Sequence, residues 1–357
     1  MRRKLTGDEI LSGMGVSALE VWARRCILGV LVLAICVLGY NELVLGLSRQ
    51  PAAIDLAPIW TAGRLAFDIP HQIYDFAKVT ANQQWLLHGA YGTRPFAYPP
   101  SMLLVIAPFS AMPFWTAYAL WMLLTGGFVL WAARGLVPER PWLTMLLTLL
   151  ATPCFTVVLT GQTTFLVAGL VTLAVCKLGP RPVLAGALLA VAALIKPTTL
   201  ILAPFALMAG GHWRALISAM AVGLAGALLS MAVFGIQPWI DWVAAVPRFQ
   251  HLFDSNPGLL RGAITPSGEA VALGLHDGPL LAVRLACVIL GAVIIWRVFK
   301  VSDDKIARLA AILGGGLLAA PYAMHYDGGL LAPAVGALAA STVNTPTGCA
   351  GSAAWCC

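Results

Sequence analysis

A carboxylate just past an apolar run is the first residue placed to do chemistry. Asp55 follows an apolar stretch that ends at Leu47 and precedes Leu56-Ala57-Pro58. Two readings fit it: the N-cap of a helix, or a general base at a membrane surface that takes a proton from a sugar hydroxyl. One side chain can do both. Asp75, in Ile73-Tyr74-Asp75-Phe76, reads first as a cap. In Arg94-Pro95-Phe96-Ala97-Tyr98-Pro99-Pro100 the prolines stiffen the chain's return to an apolar phase. There Tyr98 reads as an interfacial anchor, and Arg94 could meet a lipid phosphate. Gln162, after Gly161, either caps a helix or binds a sugar hydroxyl. Lys196 ends the apolar run Ala190 to Ile195 and precedes Pro197-Thr198-Thr199. A lysine near membrane depth is costly and by default functional. It either snorkels to the interface or offers a compact cation to a phosphate, with Thr198 and Thr199 near a helix N-terminus. The last constellation, Ala320 to Asp327, packs Tyr322, His325, Tyr326 and Asp327 between two apolar runs. An aromatic belt accounts for the tyrosines alone. His325 and Asp327 point to binding a polar substrate or orienting a phosphate. His71 and His88 read as solvated loop residues.

The elements that must position these residues are apolar. The chain is 60% hydrophobic and 10% charged over 357 residues, where a soluble domain carries about 25% charge. Apolar runs predict about ten spans, near 27–47, 113–134, 142–159, 163–178, 183–196, 198–210, 215–235, 279–299, 306–322 and 328–342, with Pro99 to Ala111 dipping into the bilayer. The runs 183–196 and 198–210 are too short to cross alone. They read as half-helices meeting at Lys196-Pro197, tolerable only where protein covers the broken backbone. The fold expected is all-α: a polytopic membrane helix bundle of one domain (1–342), with two long outer loops at 48–98 and 236–278 containing interfacial helices.

Most Lys and Arg fall in short loops on the N-terminal side, which places the N-terminus in the cytoplasm. The long loops, rich in Asp and Trp, then lie outside. In the first of them Leu56, Trp60, Gly63 and Phe67 share a helical face, with Arg64 and Asp68 off it, as in a helix lying on the membrane. A second such helix covers Phe76 to Leu87. The net charge of +7 forms no patch, which argues against a nucleic-acid partner. Cys36, Cys154, Cys176 and Cys287 sit in apolar runs as small hydrophobes. No spacing suggests a metal site, a P-loop or a nucleotide fingerprint. An enzyme working on the outer face must therefore draw on a donor already carried in the membrane.

These features, in order, resemble glycosyltransferase family 87. The resemblance rests on Asp55 with Trp60-Thr61-Ala62-Gly63-Arg64-Leu65-Ala66, Ile73-Tyr74-Asp75, Phe96-Ala97-Tyr98-Pro99-Pro100, Gly161-Gln162, Leu194-Ile195-Lys196-Pro197-Thr198, and Pro321-Tyr322 to Tyr326-Asp327, over about residues 50 to 335. It implies a GT-C type integral-membrane hexosyltransferase in the cytoplasmic membrane. The donor would be a polyprenyl-phosphate sugar, mannose above all, and the acceptor a glycan or glycolipid outside the cytoplasm, with inversion at the anomeric carbon. By position it implies Asp55 as the base. It makes Lys196 a candidate for the donor phosphate; the residues' own chemistry adds Arg94, Gln162, Tyr322, His325 and Asp327 as candidate donor-phosphate or substrate contacts. A departing phosphate can be stabilised by Arg94, Lys196 or His325, so a divalent metal is permitted but not demanded.

Two other readings stay open. Broken helices suit a transporter or flippase of a lipid-linked glycan, although no matching pair of broken segments is seen. A noncatalytic assembly partner is the third. The segment 343–357, with Cys349, Cys356 and Cys357, has no periodicity and reads like an altered reading frame or a truncation.

Overall fold

The computed structural model describes residues 20–27, 29–30, 52–89, 94–256, 260 and 262–343. Among them the chain is helical, apart from one isolated antiparallel bridge between Ala263 and Met324. The body of the expected first span and residues 344–357 lie outside the described residues. The first long loop carries α1 (Leu56–Asp68), a 3-10 turn (Pro70–Gln72) and α2 (Phe76–Leu86). A 3-10 turn at Pro100–Met102 leads into α3 (Leu103–Ser110), then α4 (Phe114–Ala133), α5 (Pro141–Leu149), α6 (Thr152–Thr160), α7 (Thr164–Lys177) and α8 (Pro182–Ile195). After a 3-10 turn at Pro197–Leu200 come α9 (Ala203–Ala209) and α10 (Trp213–Phe234). The second long loop holds α11 (Gln237–Asp254) and α12 (Pro266–Ala272). The chain then runs through α13 (Asp277–Val301), α14 (Lys305–Ala319), a 3-10 turn (His325–Leu331) and α15 (Ala332–Thr342).

Helix lengths bear on the span count. Three described helices, α4, α10 and α13, are long and apolar enough to cross a bilayer. The pair α5 and α6, bent by 64°, makes a fourth if counted as one span. The other apolar helices among the described residues are shorter than the roughly 20 residues a straight crossing needs, so the count of about ten is not confirmed among them. Breaks at Pro153 and Pro197 explain two of the interruptions, because proline cannot supply the next helical N–H. The long helices nevertheless wear an apolar exterior. On α10, Ile217, Met220 and Leu224 are each more than 60% exposed, a surface that suits lipid rather than water. This is a multi-pass membrane protein.

The Lys196-Pro197 break lies where expected and is covered. α14 packs across it so closely that a Cβ on Gly316 would overlap the carbonyl of Thr199. Non-helical backbone is tolerated at membrane depth when protein shields it in this way.

The first long loop needs a correction. α2 lies where the pattern predicts, but α1 does not rest on a surface by the face Leu56, Trp60, Gly63 and Phe67. Phe67 is 64% exposed, while Ala57, Ile59, Thr61, Ala62 and Ala66 are buried together with Leu56 and Gly63. The small residues are the cause. They let α3 approach until a Cβ on Gly63 would stand 2.1 Å from Ser110 Oγ. α1 is thus a core element, and its buried start fixes the position of Asp55.

Candidate functional site

Asp55 is held from two directions. Its backbone N–H donates to the carbonyl of Thr160 at 2.9 Å, and that of Ala53 donates to Leu159 at 2.7 Å. The entry to α1 is thereby pinned to the last turn of α6. Gly161 ends that turn in the left-handed region at φ +76°, and a Cβ there would come within 2.7 Å of Leu56 Cβ. Glycine is required on both counts.

The capping alternative for Asp55 does not hold, because its side chain makes no cap to α1. Its Oδ1 instead accepts from Arg94 Nη1 at 2.7 Å. No donor reaches Oδ2 among the described residues. The Asp55 side chain is 10% exposed and that of Arg94 35%. Arg94 Nε is buried without a hydrogen-bond partner, so the guanidinium still has donors to offer. Asp75, by contrast, does cap: its Oδ1 accepts from the N–H groups of Ala77 and Lys78 at 3.1 and 3.2 Å.

Gln162 caps nothing with its side chain. Its Oε1 accepts from the Tyr98 hydroxyl at 3.0 Å, and that hydroxyl also lies 3.3 Å from Thr163 Oγ1. Tyr98 is therefore more than an anchor. Burial above all, then the carboxylates of Asp327 and Asp55, push its phenol above the usual range, against the opposing bond from Thr163. Burial, followed by Asp55 and Asp327, does the same to Tyr326. Both hydroxyls stay protonated near neutrality. The late turn that carries Asp327 packs against α6, where a Cβ on Gly329 would stand 3.0 Å from Val157 Cγ2, and the last turn of α6 holds Asp55, so the two acids are brought to the same region although 272 residues separate them in sequence. Replacing Tyr98 with Phe should destabilise the protein by about 1–2 kcal/mol, because the buried Gln162 carbonyl loses its donor. Denaturant titration in detergent checks this.

Lys196 completes the cluster. Its ammonium pairs with Asp327 Oδ1 and lies 5.8 Å from the centre of the Tyr326 ring. The other carboxylate oxygen of Asp327 accepts from the Met324 N–H at 3.0 Å, closing the turn that carries it. Two further ties bring these elements to one end of the molecule. Ser101 Oγ donates to the Leu194 carbonyl at 2.5 Å, joining the exit of the first loop to the end of α8. The N–H of Ile264 donates to the Ala323 carbonyl at 2.8 Å, joining the second loop to the late turn.

Asp55, Arg94, Gln162, Lys196 and Asp327 thus come together. Tyr322 sits on the same late turn, where burial first, then Asp327 and Tyr98, push its phenol above the usual range; neither its hydroxyl nor the His325 ring makes a hydrogen bond to these residues among the described residues. The Tyr322 ring packs against Phe253 in a tilted pair with centroids 4.0 Å apart. His325 is exposed, with its ring 5.5 Å from that of Tyr326. Tyr98, Thr163 and Tyr326 belong to the cluster without having been singled out as site residues. A tyrosine ahead of two prolines, in a chain too rigid to bend away, is the signal that could have marked Tyr98 as more than an anchor. Among the described residues, no three His, Cys, Asp or Glu side chains gather as a metal site.

The family model for glycosyltransferase family 87 matches residues 96–321. No curated protein and no solved structure matches the chain.

Proposed function

Since the chain belongs to glycosyltransferase family 87, and is a membrane glycosyltransferase on that account, we propose that it moves a hexosyl group, mannosyl first among candidates, from a polyprenyl-phosphate donor to an extracytoplasmic glycan or glycolipid. The observation that carries this reading is the convergence of Asp55–Arg94, Tyr98–Gln162 and Lys196–Asp327 from four separate segments onto one polar cluster. A nearly buried carboxylate paired with one cation, and a second cation in the same cluster, suit transfer from a lipid phosphate.

In the proposed reaction Asp55 Oδ2 takes the proton of an acceptor hydroxyl. The acceptor oxygen forms its bond to the anomeric carbon as the bond from that carbon to the phosphate oxygen breaks. The phosphate leaves with the electron pair, and the configuration inverts. Fixed cations that meet charge developing on the leaving group lower the barrier. Arg94 gives one Nη1 hydrogen bond to Asp55 and is partly exposed, which leaves guanidinium N–H groups for this, and the Lys196 ammonium has donors beyond the one it gives to Asp327. Tyr98 and Gln162 are neutral partners for sugar hydroxyls. The site would lie on the outer face of the cytoplasmic membrane, where the donor is lipid-borne and no nucleotide is needed.

Purified protein in bilayer discs, given labelled polyprenyl-phosphate mannose and a lipid extract as acceptor, tests the reading. Label should move into a product stable to mild acid. Absence of transfer from mannosyl and other hexosyl donors alike would refute it, as would movement of intact labelled lipid across the bilayer.

A further inference from the structure

A polar cleft opens between the two long loops, linked to the cluster through Tyr74. Its volume is about 470 Å³, inside the roughly 300–1,000 Å³ typical of ligand sites. One wall is the start of α2, with Tyr74, Asp75 and Phe76; the other is α11, with Asp241, Ala244 and Arg248. Spacings of three and four residues put the last three on one helical face. The walls are fixed by the Phe76 and Phe249 rings, stacked 4.9 Å apart at 19°. They are also held by Trp242 Nε1, which donates to the Ala97 carbonyl at 3.5 Å.

The lining is only partly occupied by its own bonds. Asp241 Oδ1 accepts from Gln237 at 2.8 Å, on its own helix. The Arg248 guanidinium lies 5.2 Å from the centre of the Phe76 ring and makes no ion pair or hydrogen bond among the described residues. The cleft thus offers a carboxylate oxygen, a planar fork of N–H donors and an aromatic ring side by side, with two acids facing one arginine and His71. This balance suits a neutral, hydroxyl-rich ligand rather than an anion. Tyr74 links the cleft to the cluster: its hydroxyl donates to the Tyr98 carbonyl at 2.8 Å, and the hydroxyl of Tyr98 reaches Gln162.

We infer that this cleft is a glycan-binding subsite, in which Asp241 and Arg248 hold hydroxyls of a neutral oligosaccharide portion of the acceptor. The inference rests on the transferase reading above for the word acceptor, and on the cleft alone for the binding. It implies an acceptor several sugars long, gripped one or more residues away from the hydroxyl that reacts.

Saturation-transfer NMR on the full chain in detergent, with neutral trisaccharides of mannose, glucose and galactose as probes, tests the binding without turnover. At least one probe should bind the unaltered protein. Asp241→Ala and Arg248→Met should each weaken it about tenfold, the effect of losing one hydrogen bond to a charged group. Ala244→Phe should abolish it by filling the cleft. Asp241 is half-buried, and Ala244 and Arg248 are exposed, so none of the three changes removes a core contact. The proposal is overturned if no probe binds, if the three variants bind as the unaltered protein does, or if inorganic phosphate displaces the sugar from the cleft. The labelled-donor assay reports separately on the transferase reading, so failure of one is not mistaken for failure of the other.

Discussion

Asp55→Asn should lower sugar transfer by at least about 10²-fold, the lower bound for losing a positioned general base, while the protein still inserts and purifies. Asparagine has nearly the same shape and keeps an oxygen for Arg94 Nη1, so the 2.7 Å contact survives as a neutral hydrogen bond. What disappears is the ability to hold a proton taken from the acceptor. The position is unusually well suited to that role. The backbone of Asp55 is tied to Thr160, its side chain is nearly buried, and only one of its oxygens is engaged. Arg94→Lys should cost less, because a point charge keeps the ion pair but loses the planar fork. Initial rates for both variants, with the expressed protein quantified in the membrane fraction, decide the matter. An Asp55→Asn enzyme as fast as the unaltered one would remove Asp55 as the base.

Asp55 stood out because a lone acid after an apolar run has few uses; whether its side chain caps α1 or turns away from it was not legible. That choice depends on Arg94, 39 residues away, which swings the carboxylate from the start of α1 toward the loop. The same limit governs the rest of the site. Helix positions follow from local apolar runs and from Pro and Gly breaks, so α2, α4, α8 and the Lys196-Pro197 break fall where the pattern puts them. α1 was misread because its small residues, Ala57, Ala62, Gly63 and Ala66, look weakly apolar in one dimension and become a packing surface only once α3 lies against them. Lys196 stood out for its cost at membrane depth, yet its partner Asp327 lies 131 residues on, and nothing local pairs them. Tyr98 looked like an interfacial anchor because its use as a donor depends on Gln162 from a different turn.

Lys196→Met should destabilise the fold by roughly 3 kcal/mol, the low end of the range for breaking a buried ion pair, because the ammonium retains some exposure. The loss comes mainly from the partner left behind: a buried Asp327 carboxylate beside the Tyr326 ring, with only the Met324 N–H still on it. Adding Asp327→Asn should therefore recover about half of the loss rather than add to it, since the amide carbonyl keeps the Met324 bond and the stranded charge is gone. Asp327→Asn alone leaves the ammonium unpaired, but the lysine can move toward water, so its cost should be smaller than that of Lys196→Met. Denaturant midpoints of the two single variants and the double variant measure this cycle. Transfer rates on the same proteins separate a structural pair from a phosphate contact. If Lys196 only braces the late turn against the α8 break, activity should track stability, and the double variant should be more active than Lys196→Met. If the ammonium also meets the donor phosphate with its unused donors, the double variant should regain stability without regaining rate, with Asp327→Asn the most active of the three. The second outcome is the one the proposed reaction expects, because the Lys196 ammonium gives one donor to Asp327 and keeps others for a leaving phosphate.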